Sequence, residues 1–299
     1  AGDKRLHVAH IQFNSYSGKV GSPPKSAAKE ITEYINEHKN ITCDVGQVVM
    51  GNACFMTADA PLTYLLRNYK QEKWVNADTE CESGCGILPF EYMGHVYTHA
   101  LQWAIGLEIF LLSKDPWRIV LSTDHPNGGS FANYPLIIKL LMDRTFRKEC
   151  MGVLNEKAMN ASLLKDLDRE YTLEEICIIS RAGPAKCLGL KEKGHLGVGA
   201  DGDVTIYDML DDKEQMFSAP RYVMKAGQLL IADHEFVSDY TDKKILRVAP
   251  EYDESIENVI KPFFDDFYSV SYKNYPVDDS FLHANKIIES KKKNNIYEN

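Results

Sequence analysis

Apolar positions fall in short blocks separated by polar turns. Residues 6–13 (Leu-His-Val-Ala-His-Ile-Gln-Phe) read as a short strand carrying two histidines. Ser22-Pro23-Pro24 then offers an N-cap with proline in the first turn, and Ala27, Ile31, Tyr34 and Ile35 recur on one helical face as far as Glu37. Residues 41–50 are a β-branched apolar run closed by Gly51-Asn52, which predicts a second buried strand and completes a βαβ unit. The pattern loosens over residues 53–93, where only 62–69 reads as helical. A long excursion after a strand is where α/β barrels keep substrate-binding residues. Residues 96–113 are apolar enough for a buried helix, Ile119-Val120-Leu121 is a third strand, and Thr172-Leu173-Glu174-Glu175 is a capping box opening a helix that runs to Ala182. Beyond Gly194 the elements shorten: residues 203–207, 221–225 and 229–231 predict antiparallel strands joined by hairpin-like turns. From Pro250 the chain turns acidic and aromatic, which predicts a packed arm with a frayed end after about Ile288.

The third strand delivers the most informative residues. It runs into Asp124, and His125-Pro126-Asn127-Gly128-Gly129 follows as a loop. A carboxylate is thereby placed at the C-terminal mouth of a buried strand, where α/β barrels carry their chemistry. With a histidine from another strand it is raw material for a hydrolytic metal site. The residues alone leave a second reading open, because Asp before a Pro/Gly loop also serves as a turn residue. His7 and His10, three apart on one strand, are expected to point to opposite faces, so that at most one looks into a barrel.

Composition narrows the function classes. With 299 residues and 44% hydrophobic content the chain can bury a large core. A formal net charge of −9 argues against a nucleic-acid partner, the local Lys291-Lys292-Lys293 run reading as a solvated tail. No apolar run reaches the length of a bilayer span and no secretory leader pattern is present, so a cytoplasmic location without membrane attachment is expected. The seven cysteines include no CxxC pair, Cys81 and Cys85 being the nearest two, and read as reduced thiols.

The stretch Gly183-Pro184-Ala185-Lys186-Cys187 through Lys193-Gly194-His195-Leu196-Gly197 to Asp201-Gly202-Asp203-Val204 resembles the passage by which metal-dependent amidohydrolases leave their barrel and enter a small β-sandwich. Residues 6 to about 275 also resemble one branch of that superfamily, the A subunits of formylmethanofuran dehydrogenase and of the related formyltransferase/hydrolase complex. The runs that carry this likeness include residues 7–13, Asp44-Val45-Gly46-Gln47-Val48, Gln102-Trp103-Ala104-Ile105-Gly106-Leu107-Glu108 and 123–129.

The resemblance implies an α/β fold: the C-terminal part of an amidohydrolase-type (β/α)8 barrel followed by β-sandwich strands. Residues 1–190 would be the last three barrel strands with their helices, 191–249 part of the sandwich, and 250–299 a C-terminal arm. It also implies a binuclear divalent metal site, zinc by default, held by a His-x-His pair, a carboxylated lysine, two single histidines and an aspartate. Of these ligands the chain carries the sixth-strand histidine, assigned to His10, and the eighth-strand Asp124; His7 is assigned to packing or to support of a ligand. No His-x-His occurs, so the chain reads as the C-terminal half of a larger polypeptide, expected to bind metal weakly and to associate when isolated.

The implied reaction interconverts formate plus methanofuran with N-formylmethanofuran, in a complex whose other subunits include one with a tungsten or molybdenum pterin. Asp124 would bind metal, take a proton from the attacking water and return it to the leaving amine; His125 and Asn127 would bind the formyl group. His195 is expected to shape its turn. Two alternatives stand beside this reading, a dihydroorotase- or hydantoinase-like cyclic amidase and a truncated, non-catalytic docking subunit.

Overall fold

The computed structural model describes residues 5–19, 21–57, 86–240, 244–248, 254–267, 272 and 286–290. The helix expected at 62–69 and the Cys81/Cys85 pair lie outside these residues. The chain divides into two compact units, 1–55 with 90–235 and 56–89 with 236–299.

In the first unit the chain runs through β1 (Leu6–Val8), β2 (Tyr16–Ser17), β3 (Lys25–Ser26), α1 (Ala28–Glu37) and β4 (Ile41–Asp44). β5 (Gly51–Thr57) and β6 (Gly86–Tyr92) pair with each other, and α2 (Tyr97–Leu112) and β7 (Ile119–Val120) follow. β1, β4 and β7 form a parallel sheet in that order, with Leu6 opposite Ile41 and Cys43 opposite Ile119. Two parallel neighbours joined through a helix are the βαβ arrangement the hydrophobic pattern predicts.

Burial explains which segments are regular. α1 buries Ala28, Thr32 and Ile35, spaced four and three apart on one face, against α2. α2 is buried at every position from His99 to Leu111, the signature of a helix enclosed on all sides. Gly106 lies at its closest contact: a Cβ there would run into the side-chain oxygens of Gln12 and Gln47. Beyond β7 come α3 (Tyr134–Met142), α4 (Arg144–Gly152), α5 (Glu156–Asn160) and α6 (Leu173–Cys177). The capping box is present, Thr172 accepting from the Glu175 amide while the Glu175 carboxylate accepts from that of Thr172.

Four local expectations are corrected. The first strand stops at Val8, two residues short of His10, and a 3-10 turn occupies Ile11–Asn14. The first helix starts at Ala28 rather than beside Ser22: Ser22 closes a turn by bonding both the amide and the carbonyl of Lys19, and the residues after the prolines pair as β3 with β2. β4 ends at Asp44, because Gly46 takes a left-handed φ of 70° and breaks the ladder; the chain stays beside β7 through Val45 N–H to Val120 O (3.2 Å) and Gln47 N–H to Ser122 O (2.7 Å). The helix from Thr172 does not run unbroken to Ala182: residues 178–182 form a π-helical turn and α7 (Gly183–Cys187) follows.

The expected antiparallel strands are present as β8 (Val204–Ile206), with α8 (Lys213–Ser218) intervening, then β9 (Tyr222–Lys225), β10 (Gln228–Ala232) and β11 (Glu235–Phe236), in the order β11-β10-β9-β8. In the second unit β12 (Lys244–Val248) pairs in parallel with β13 (Lys286–Ser290), and α9 (Glu257–Phe267) carries a Glu257–Lys261 ion pair of 2.8 Å. Strand β13 continues past the point where fraying is expected. Among the described residues no helix is long and apolar enough to cross a membrane.

Candidate functional site

The C-terminal ends of β1, β4 and β7 bring His10, Asp44 and Asp124 together. His10 Nδ1 lies 3.3 Å from Asp124 Oδ1, and His10 Nε2 lies 3.6 Å from Asp44 Oδ1. The imidazole and the carboxylate expected as metal ligands therefore do converge. Both sit on unusual backbone, His10 at φ 49° and Asp124 at φ 48°, left-handed values that non-glycine residues adopt at a cost of order 1–3 kcal/mol. Such geometry persists where surrounding structure dictates it. At His10, Gly46 leaves the room for it, since a Cβ at that position would lie 3.1 Å from His10 Cβ and 3.2 Å from Phe13 Cε2.

His7 requires a correction. Strand parity sends it to the face opposite His10, yet His7 Nε2 lies 3.3 Å from Asp44 Oδ2, so both imidazoles reach the same carboxylate. Parity fails because His10 lies beyond the strand's end, where the left-handed turn swings it back. His7 Nδ1 meets Thr42 Oγ1 at 2.9 Å, its cross-strand neighbour. Its pKa is raised to about 9, first by the hydrogen bond to Asp44 and then by one to Cys187.

Asp44 is the residue that sequence reasoning missed as a participant. It accepts from Ser122 Oγ (2.5 Å) and from the His10 amide (3.2 Å), while the Gly46 amide donates to Ser122 Oγ (2.7 Å). Burial works to raise its pKa, but the hydrogen bonds from His7 and Ser122 and the nearness of His10 prevail and hold it below the ordinary carboxylate value. Its oxygens are thus engaged by His7, Ser122 and the His10 amide, with the His10 ring 3.6 Å away. Its sequence context, the middle of the apolar run 41–50, gave no sign of this, because the run was expected to continue as strand past it.

In the loop after β7, Asn127 Nδ2 donates to Asp124 Oδ2 (2.6 Å) and the Asn127 and Gly128 amides donate to the Asp124 carbonyl. Asn127 therefore acts first on the aspartate, fixing one oxygen and leaving Oδ1 toward His10. His125 is exposed; its Nδ1 accepts from the Phe131 amide (3.3 Å) and its ring packs edge-on to Phe131, which presents the rest of the imidazole outward. His195 lies in its turn, both ring nitrogens used by Lys191 O and the Gly197 amide.

A nitrogen and a carboxylate oxygen at 3.3 Å, oriented by Asp44 and Asn127, suit a borderline divalent ion such as zinc. Among the described residues no three His, Cys, Asp or Glu are so disposed that they could hold a metal ion together. The pair is thus a partial donor set.

Residues 2–231 match the amidohydrolase family. The chain is 39% identical over 291 residues to a protein named FwdA from Methanocaldococcus jannaschii, covering 94% of this chain and 51% of that protein. It is 38% identical over 293 residues to the A subunit of the formyltransferase/hydrolase complex Fhc from Methylorubrum extorquens, covering 94% and 52%. A crystal structure of the Methylorubrum extorquens formyltransferase/hydrolase complex with methylofuran contains a chain that superposes with a TM-score of 0.77 at 36% identity, over 97% of this chain and 54% of that one. The chain spans about half the length of the curated relatives it matches. The parallel strand mouths with their His and Asp, the antiparallel sheet beyond and the match over most of the sequence lead to one conclusion: the chain belongs to the amidohydrolase family.

Proposed function

We propose that the chain forms part of an amidohydrolase-type subunit that interconverts N-formylmethanofuran with formate and methanofuran, in a formylmethanofuran dehydrogenase or formyltransferase/hydrolase complex. The observation that carries this is the 3.3 Å approach of His10 Nδ1 to Asp124 Oδ1 at the strand mouths. Its support is the 38–39% identity to FwdA and to the Fhc polypeptide. Residues 1–190 would be the last three strands and helices of a (β/α)8 barrel, 191–249 sandwich strands and 250–299 an arm. The reading carries a cytoplasmic location and, in a dehydrogenase, a partner subunit with a tungsten or molybdenum pterin.

His10 and Asp124 would hold divalent metal, zinc by donor type, with the remaining ligands of a two-metal site supplied by residues other than those described. When bound, the metal supplies Lewis-acid polarisation of the formamide. Asp124 is placed for proton work: its carboxylate, held by Asn127 at Oδ2, would take a proton from the attacking water and return it to the departing amine nitrogen. Asp44 holds the imidazole of His10 through the approach to Nε2 and the bond from its amide. His125, exposed beside Phe131, and Asn127 flank the place of the formyl group.

In the full-length subunit, Asp124→Asn should cut formyl turnover by roughly 10²–10⁴-fold with fold and assembly intact, and His10→Ala should lower both metal content and turnover. His7→Ala should cost less of each. Turnover and metal analysis on the three variants decide the matter. Near-normal turnover in Asp124→Asn refutes the mechanism, and greater metal loss from His7→Ala than from His10→Ala would reassign the ligand.

A further inference from the structure

A second polar feature stands apart from the strand mouths. A cavity of about 660 Å³ opens between the β2–β3 hairpin, the first turn of α1 and the segment after α5. Lys25, Lys29 and Lys157 line it, with Glu30 as the one acidic residue among its lining. None of the three lysines makes an ion pair or side-chain hydrogen bond among the described residues. What sets them apart is their grouping: three such lysines line one concavity, while Lys139, Lys148, Lys193, Lys225 and Lys261 each have a carboxylate within 4 Å. Three ammonium groups left unpaired around one concavity repel one another, and the arrangement is relieved by an anion between them.

Two further observations favour an anion. The cavity receives the start of the ten-residue α1, whose first turn has no side-chain cap at its N-cap Ala27, so backbone N–H groups and the positive end of the helix dipole add to the lysines. The floor is also built rather than incidental. The fully buried Glu108 of α2 accepts from Ser26 Oγ and from the Leu163 and Leu164 amides, tying the hairpin to the segment after α5. Ser26 Oγ in turn accepts from the Ala28 amide at 3.1 Å. The Glu108 oxygens face donors from both segments, so its charge is answered beneath the floor.

We infer that this cavity binds a ligand carrying two or more anionic groups, carboxylates or phosphates. Three separated ammonium groups reward several charges held on one molecule, because each compact lysine charge can meet its own oxygen. A single monovalent anion would satisfy only one. The inference is independent of the formyl chemistry, since no residue of the His10, Asp44 and Asp124 cluster takes part.

The test titrates the full chain by calorimetry with tricarballylate, a tricarboxylate, and with inorganic pyrophosphate, against acetate at matched ionic strength. Binding of either polyanion well above acetate is expected, weakening as salt rises because the contacts are exposed; which of the two binds tighter identifies the chemical class. The Lys25→Gln/Lys29→Gln/Lys157→Gln variant should bind at least about tenfold more weakly. A variant with the same charge change elsewhere, Lys114→Gln/Lys191→Gln/Lys213→Gln, should bind as the parent does. Should the triple variant fold poorly, Lys29→Gln alone must weaken binding severalfold. Polyanion binding no stronger than acetate, or equal loss in both triple variants, overturns the inference.

Discussion

The parallel sheet and the antiparallel sheet of the first unit are both made of short strands, yet they are held by different forces. Cys43 of β4 and Ile119 of β7 are fully buried, and α2 packs into the same core. Of the antiparallel strands β8 to β11, no position is buried. In their place stand charges: Lys193 bonds Asp201 (2.6 Å) and Asp203 (2.7 Å), Lys225 bonds Asp203 (2.6 Å), and Arg221 reaches both Asp208 and Asp233 at 3.1 Å. The residues brought together for chemistry stand on the buried frame, where packing is dense and side chains have little freedom. The sheet held by ion pairs carries none of them.

The difference sets the size of mutational effects. Leu107→Ala, in the fully buried stretch of α2, should destabilise by about 3 kcal/mol, whereas Leu229→Ala on β10, 41% exposed, should cost under about 1 kcal/mol. Urea denaturation of both variants checks this, and equal losses would show that the antiparallel sheet is as well packed as the parallel one. Next comes Asp44→Asn, which removes the charge and puts an NH2 donor in place of one of the two oxygens that meet His7, the His10 amide and Ser122, and should cost about 1–3 kcal/mol.

The same substitution has a pH signature. The pKa of His7 is raised from 6.5 to about 9 in the folded chain, so its pairing with Asp44 is fully present below pH 6.5 and fades as pH rises through 9. After screening at a half-exposed imidazole the parent should lose no more than about 1 kcal/mol more than Asp44→Asn over that interval. Denaturation midpoints of parent and variant at both pH values give the difference; parallel slopes would detach His7 from Asp44.

The smallest effect is expected at the turn into the antiparallel sheet. Burial acts to raise the pKa of Asp203, but its bonds from Lys193, Lys225 and the Ala226 amide hold it well below 3.8. Its contribution is therefore present at neutral pH and disappears as pH falls below the ordinary carboxylate value. Asp203→Asn should cost about 1 kcal/mol or less, and the cost should shrink in 1 M salt, measured by thermal melts in low and high salt. A cost that salt does not change would mean the turn is held by hydrogen-bond geometry alone.

The regular elements could be read from the sequence because they follow periodic burial. The βαβ unit, the long buried α2, the capping box at Thr172 and the strands around 204–206, 222–225 and 228–232 are all written in local pattern. The site was readable in its partners and obscure in its directions. His10 and Asp124 meet as the family resemblance implies, but parity placed His7 and His10 on opposite faces because it assumes a continuing strand, and the left-handed backbone at His10 has no side-chain signature. Asp44 escaped notice for a related reason: its importance lies in partners 34 to 78 residues away, His10 and Ser122 among them, which no local pattern contains.

Gly128 and Gly46 bear on how far this region can be altered. A methyl group on Gly128 would press into the Thr123 carbonyl oxygen and lie 2.9 Å from that of Gly46, while Val49 donates its amide to the Gly128 carbonyl. Main chain rests on main chain where the loops after β4 and β7 meet, and His10 packs on the same Gly46 from the loop after β1. Any side chain at these two glycines would therefore have to displace backbone or the His10 side chain itself, so the mouth tolerates substitution least at the positions that carry no side chain.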